Sequence, residues 1–158
     1  MPRPLGFALC LVFAVPTATA DEAELARDWG AKAGQLYQET VAGLHGEDLS
    51  NRFEDDLARF AVTADRLGSW VDESSRSHDL GCIFRGMADE AELQMSLLEQ
   101  PGRRGEALHR LATLFNDAEN IGLAATYAEP ETVPGAGAAD MSCPANPEAA
   151  LQYLTEQP

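Results

Sequence analysis

The repeat of apolar residues between positions 53 and 71 most constrains what this chain can fold into. These residues follow one another at alternating steps of four and three, which places them along one face of an α-helix that packs against other helices. The stripe consists of Phe53, Leu57, Phe60, Ala64, Leu67 and Val71. A half-buried strand would need a period of two, so the segment predicts an amphipathic helix in an all-α fold.

Three further segments carry apolar stripes with helical spacing, and no alternating strand pattern interrupts residues 21–128. Their stripes are Leu25, Trp29, Ala33, Leu36, Thr40 and Leu44; Leu80, Phe84, Met87, Ala91, Met95 and Leu98; and Leu108, Leu111, Phe115, Ala118, Ile121 and Ala125. The predicted helices cover 22–44, 51–70, 78–99 and 105–128. Four helices with short connections favour an up-down-up-down bundle, and a helical pair completed by a second copy of the chain is the alternative.

Residue types at the ends of these segments suit helix termini. Asp21 and Ser50 precede the first two helices and are predicted to be their N-caps. Gly46 follows the first helix, where a glycine commonly ends a helix. Pro101 and Gly102 stop the third helix before the fourth begins.

The start of the chain, residues 1–20, is typical of a cleavable secretory signal peptide. Arg3 supplies a positive charge, residues 5–15 are apolar, and Ala18 and Ala20 occupy the small-residue positions of a cleavage site. The apolar run is too short to span a bilayer. We therefore expect an exported protein that is periplasmic or secreted and is not held in a membrane after cleavage.

The chain has three cysteines, and Cys10 lies within the predicted signal peptide. Cys82 and Cys143 remain, and an even pair in an exported chain favours one disulfide bond. The alternative is a thiol-dependent enzyme or redox protein, because Cys82 and His78 lie near the start of a helix, where a thiolate is favoured.

The character of the sequence changes in residues 129–158, which are rich in proline and glycine at first. These residue types exclude a long helix over most of the segment. A short helix is predicted at its end, because Asn146 suits an N-cap and Pro147 suits the first helical position. The segment is expected to be irregular and to be held to the bundle by Cys143.

Histidine and carboxylate side chains suggest a metal site. Glu106 and His109 have the E-x-x-H spacing that di-metal helical bundles use, but such bundles repeat the motif on a second helix and this chain does not. His78 and Asp79 are the other candidate ligands. The favoured interpretation is a protein without a cofactor. The alternative is a protein that binds copper or zinc with these residues as ligands.

Helix 3 also contains one arginine and two glycines of interest. Arg85 is predicted either to pair with Asp89 on the surface or to bind the carboxylate of a ligand. Gly81 and Gly86 each weaken the helix by about 1 kcal/mol relative to alanine. Both glycines are expected to allow close approach of another helix or of the C-terminal segment.

The charge balance limits the partners. The chain has 26 acidic and 11 basic residues, for a net charge of −15. Nucleic acid and anionic membranes require clustered lysine and arginine, so they are excluded, whereas a partner protein with a basic surface fits. No catalytic or dinucleotide fingerprint and no family resemblance is evident. The favoured function is non-catalytic: an exported accessory protein that binds a protein or a small ligand.

Overall fold

The structure is a computed structural model in which residues 18–74, 78–127 and Cys143 are described. This part of the chain forms four α-helices and contains no β-strand. The helices are α1 (Ala18–Leu44), α2 (Phe53–Glu73), α3 (His78–Leu98) and α4 (Arg104–Tyr127). The prediction of an all-α fold with four helices is confirmed. The predicted signal peptide, up to residue 17, and the predicted short helix near the C-terminus lie outside the described residues.

The glycines predicted to end helices do follow helix ends, whereas the two predicted N-cap residues do not cap their helices. Gly46 and Gly102 both adopt positive φ angles, of 92° and 84°, in the turns that follow α1 and α3. Asp21 lies inside α1, since that helix begins at Ala18. Ser50 does not cap α2 either, because Arg52 occupies the N-cap position without a side-chain hydrogen bond. Three acidic residues in the first turn of α2 stabilise its positive end instead.

The core is built around four aromatic rings, one from each helix. Trp29 of α1 stacks on Phe60 of α2 with ring centroids 4.7 Å apart, and its edge meets Phe84 of α3 at 5.2 Å. Phe115 of α4 meets Phe60 edge to face at 5.1 Å. All four side chains are buried. Such aromatic pairs contribute about 1 kcal/mol each beyond the area they bury, so this cluster joins the four helices at one level.

Helices α1 and α4 pack closely because glycines line their contact. A Cβ atom added to Gly122 would lie 2.7 Å from the carbonyl oxygen of Ala26 and 2.8 Å from the Cα of Gly30. A Cβ added to Gly30 would lie 3.2 Å from the carbonyl oxygen of Glu119. Larger side chains at these positions would force the two backbones apart.

Helix α3 is turned slightly from the predicted orientation. The apolar stripe predicted for it is buried at Phe84 and Ala91, but Met87 and Met95 are only partly buried. Ala88, outside that stripe, is buried instead. The buried face of α3 is therefore rotated toward Ala88, relative to the predicted stripe.

One ion pair joins α1 to α2 at the edge of the core. Lys32 Nζ donates a hydrogen bond of 2.8 Å to Asp56 Oδ2. That bond lowers the pKa of Asp56, and the positive charge of Lys32 also favours the ionised carboxylate.

None of the described helices combines the length and the apolar character that crossing a membrane requires.

Candidate functional site

The candidate site lies where the last turns of α2 meet the first turns of α3. Two glycines make this contact close. A Cβ added to Gly81 would lie 2.5 Å from Asp72 Oδ1 and 3.3 Å from the carbonyl oxygen of Gly68. A Cβ added to Gly68 would lie 3.0 Å from both the carbonyl oxygen of Gly81 and the Cγ of Arg85. The missing side chains therefore leave the room that Asp72 and Arg85 occupy.

Arg85 bridges a carboxylate and a pair of sulfur atoms. Its Nη1 donates a hydrogen bond of 2.7 Å to Asp72 Oδ2, and its Nη2 lies 3.3 Å from Cys143 Sγ and 3.9 Å from Cys82 Sγ. The side chains of Arg85 and Asp72 are 27% and 25% exposed. We call Asp72, Cys82, Arg85 and Cys143 the Arg85 site.

The predicted disulfide between Cys82 and Cys143 is present. Their Cα atoms are 5.3 Å apart, and 61 positions separate them in the sequence. Both cysteines are partly exposed. A guanidinium beside sulfur atoms stabilises a thiolate if the bond is reduced, so the arrangement can take part in thiol chemistry.

The pairing of Arg85 with Asp89, expected from their spacing, is wrong. Arg85 instead pairs with Asp72, on the neighbouring helix. The sequence prediction ended the second helix at residue 70 and so placed Asp72 in a loop, whereas α2 continues to Glu73. The signal that it missed is helical spacing, since Asp72 stands four residues after Gly68 on the same face. Binding of a ligand carboxylate by Arg85 stays a prediction.

The two glycines of α3 differ in their surroundings. The close approach expected at Gly81 is confirmed by its contact with α2. At Gly86 no other helix comes close, because a Cβ added there would meet no atom of the described residues within 4 Å. Approach of the C-terminal segment to Gly86 stays a prediction. Gly81 and Gly86 are five positions apart in the sequence, so they lie on different sides of α3.

The described metal-ligand candidates are exposed. Asp79, Glu106 and His109 all lie on the surface, and Arg103 Nε donates a hydrogen bond of 2.8 Å to Glu106 Oε2. His78 is the first residue of α3, and its side chain is outside the described residues. Among the residues that the structure describes, no three histidine, cysteine or acidic side chains form a group that could hold a metal ion. The metal site stays a prediction.

A shallow, mainly apolar depression lies on the outer face of α2. It is lined by Ala58, Arg59, Val62 and Thr63. Val62 is 69% exposed, which is high for a β-branched apolar residue in a helix. A second, more polar depression lies where Leu49, Phe53 and Arg104 meet, and it includes Ser50, Asn51 and Glu54.

Comparison with protein-family models, with curated protein sequences and with solved structures finds no significant match to this chain.

Proposed function

We propose that this protein is an exported, non-catalytic accessory protein that binds a partner protein through the outer face of α2. In this proposal residues 1–20 are removed as a signal peptide, and the remaining chain works in the periplasm or outside the cell. The small residues before position 21 and the short apolar run support this part of the proposal. The helices provide a rigid scaffold for the binding face.

The proposed arrangement of the scaffold is up-down-up-down. Gly30 of α1 lies beside Gly122 of α4, whereas Gly43, later in α1, has Leu108, earlier in α4, as a neighbour. These contacts run in opposite directions along the two helices, which supports antiparallel packing. We further propose that residues 129–158 are held to the bundle through Cys143 and end in a short helix.

The observation that carries the binding proposal is the depression around Val62. An apolar side chain that is 69% exposed beside a shallow concave surface fits an apolar side chain of a partner. Exposed residues of both charges accompany it on α2: the acidic Glu54, Asp55 and Asp65, and the basic Arg59 and Arg66. The chain as a whole carries a net charge of −15. Opposite charge across an interface speeds association and selects the partner, so we propose a partner whose contact surface is basic around an apolar centre.

Site-specific photo-crosslinking in the producing cell tests this proposal. Val62 is replaced by p-benzoylphenylalanine, and crosslinked products are identified by mass spectrometry. We expect one dominant partner, whose yield falls when the acidic residues Asp55 and Asp65 are changed to asparagine, because these changes remove the complementary charge. The purified partner should then bind the wild-type protein more weakly as salt concentration rises.

Leu123 provides the matched control for the crosslinking experiment. It is also an exposed apolar residue, at 53%, but it lies on α4. We expect the crosslinker at position 123 to give no product with the partner found from position 62. Equal products from both positions, or no product from position 62 in cells that contain the protein in its folded form, would contradict the proposed binding face.

A further inference from the structure

The Arg85 site places a positive charge against a disulfide bond that solvent reaches. Arg85 Nη2 lies within hydrogen-bonding distance of both sulfur atoms, and both cysteines are partly exposed. A disulfide that serves only to join two segments does not require a cation at its sulfur atoms. This contact is independent of the proposed partner-binding face on α2.

We propose that the Cys82–Cys143 disulfide is a thiol-exchange site, at which a dithiol reductant attacks Cys82 and Arg85 stabilises the departing sulfur of Cys143. The distances decide which sulfur leaves. Arg85 Nη2 is 3.3 Å from Cys143 Sγ but 3.9 Å from Cys82 Sγ, so the ionised form of Cys143 gains more from the guanidinium.

The position of Cys82 in α3 opposes this assignment only weakly. Cys82 is the fifth residue of the helix, which begins at His78. The stabilisation of anions by a helix N-terminus falls off within the first turn, so the helix favours a Cys82 thiolate only weakly. The contact with Arg85 therefore determines which of the two sulfur atoms is the better leaving group.

Asp72 fixes the orientation of the guanidinium and reduces its effect. The 2.7 Å hydrogen bond from Nη1 to the Asp72 carboxylate leaves Nη2 directed at the sulfur atoms. The negative charge of Asp72 offsets part of the positive charge that a Cys143 thiolate would experience. We therefore expect Arg85 to stabilise the departing Cys143 thiolate less than a guanidinium without a carboxylate partner would.

The exchange balances as a transfer of two electrons. A thiolate of the dithiol attacks Cys82 Sγ, a new sulfur–sulfur bond forms there, and the Cys82–Cys143 bond breaks with its electron pair on Cys143. The second thiol of the reductant loses its proton and attacks the reductant sulfur that is bonded to Cys82. This attack releases Cys82 as a thiolate. The reductant ends as a disulfide, and the two protons that it lost are available to the two protein thiolates.

The test compares Arg85→Gln with the unaltered site, in the full chain carrying Cys10→Ser so that two cysteines remain. The oxidised protein, in which Arg85 contacts both sulfur atoms, is exposed to dithiothreitol, and the loss of the Cys82–Cys143 bond is followed by acid quenching and mass spectrometry. Both proteins are compared at one pH and one dithiothreitol concentration, so that the amount of attacking thiolate is equal. Reduction of the variant by dithiothreitol should be about threefold slower, because the leaving sulfur is less stabilised.

Two further variants separate this role from a structural one. Arg66→Gln removes an exposed arginine from α2 and should leave the rate of reduction unchanged. Arg85→Lys keeps the positive charge and should restore most of the wild-type rate, and it serves as the test if Arg85→Gln fails to fold by circular dichroism.

Trapping with glutathione tests the direction of attack. Brief exposure of the oxidised protein to glutathione, followed by acid quenching, should place the mixed disulfide on Cys82. A mixed disulfide mainly on Cys143, or a rate of reduction by dithiothreitol that Arg85→Gln leaves unchanged, would overturn the proposal. Neither outcome bears on partner binding at Val62, so the two proposals fail separately.

Discussion

The Trp29 indole both stacks on the Phe60 ring and donates a hydrogen bond to the Phe60 backbone. Its Nε1 lies 3.0 Å from the carbonyl oxygen of Phe60, and the two rings are inclined by 17°. Trp29 is 3% exposed, so its polar N–H is satisfied in the core by this bond. The position of α1 against α2 is therefore fixed by a directional contact as well as by apolar packing.

Replacement of Trp29 by phenylalanine should lower the free energy of unfolding by about 2 kcal/mol. The change removes a hydrogen bond, a loss of about 1 kcal/mol, and leaves part of the indole volume unfilled. Urea denaturation followed by circular dichroism measures the difference without depending on tryptophan fluorescence. Val62→Ala is the control, since an exposed side chain should change stability by less than about 0.5 kcal/mol. Equal stability of both variants would contradict the role assigned to Trp29.

Helical periodicity is sufficient to predict which residues of α2 form the core. All six apolar residues of its predicted stripe are buried: Phe53, Leu57, Phe60, Ala64, Leu67 and Val71. The period of a helix determines this face before any neighbour is known. The period does not determine which helices approach most closely, so the contact of Gly30 with Gly122 was not predictable from either stripe.

The sequence predicts the disulfide of the Arg85 site but not its ion pair, which depends on a contact between two helices. The pairing of Cys82 with Cys143 follows from the cysteine count together with the predicted signal peptide. The bond from Arg85 to Asp72 depends on the distance between α2 and α3, which Gly68 and Gly81 set together. Sequence spacing within one helix suggested Asp89 instead, because local spacing carries no information about contacts between helices.

Two glycine-to-alanine changes should have opposite effects on stability. Gly122→Ala places a Cβ 2.7 Å from the backbone oxygen of Ala26, so α1 and α4 must separate, and we expect a loss of about 2 kcal/mol. Gly86→Ala is the matched control, because no described atom lies within 4 Å of the added Cβ. It should raise stability by about 0.5 to 1 kcal/mol through helix propensity. Thermal and urea unfolding measure both effects, and a stabilising Gly122→Ala would contradict the close packing.

Loss of the disulfide should destabilise the protein by at most about 4 kcal/mol. The bond links residues 61 positions apart, and the chain-entropy model gives this value for a closed loop of that length. Cys143→Ser and the Cys82→Ser, Cys143→Ser double variant should agree within error, since either change breaks the same bond. Urea denaturation of these variants, beside wild-type protein with and without a reductant, measures the loss. Unchanged stability in all of them would mean that the bond constrains the folded and the unfolded chain to the same extent.

The ion pair between Lys32 and Asp56 should make stability depend on pH in the acidic range. Asp56 has its pKa lowered from 3.8, first by the hydrogen bond from Lys32 and then by nearby positive charge. A carboxyl group with a lower pKa in the folded state than in the unfolded state stabilises the fold above its unfolded value. That contribution is lost as pH falls from about 4 through the folded-state pKa, because the unfolded chain takes up the proton first.

Lys32→Gln isolates this contribution. We expect the variant to be less stable than wild type at about pH 6, and the difference between the two to shrink as the pH falls below about 4. Urea midpoints measured across this range report the difference directly. Arg110→Gln removes an equal charge from an exposed position on α4 and controls for the net charge of the protein. A difference between Lys32→Gln and wild type that stays constant down to about pH 2 would show that Lys32 acts through packing of its aliphatic stem and not through the Asp56 carboxylate.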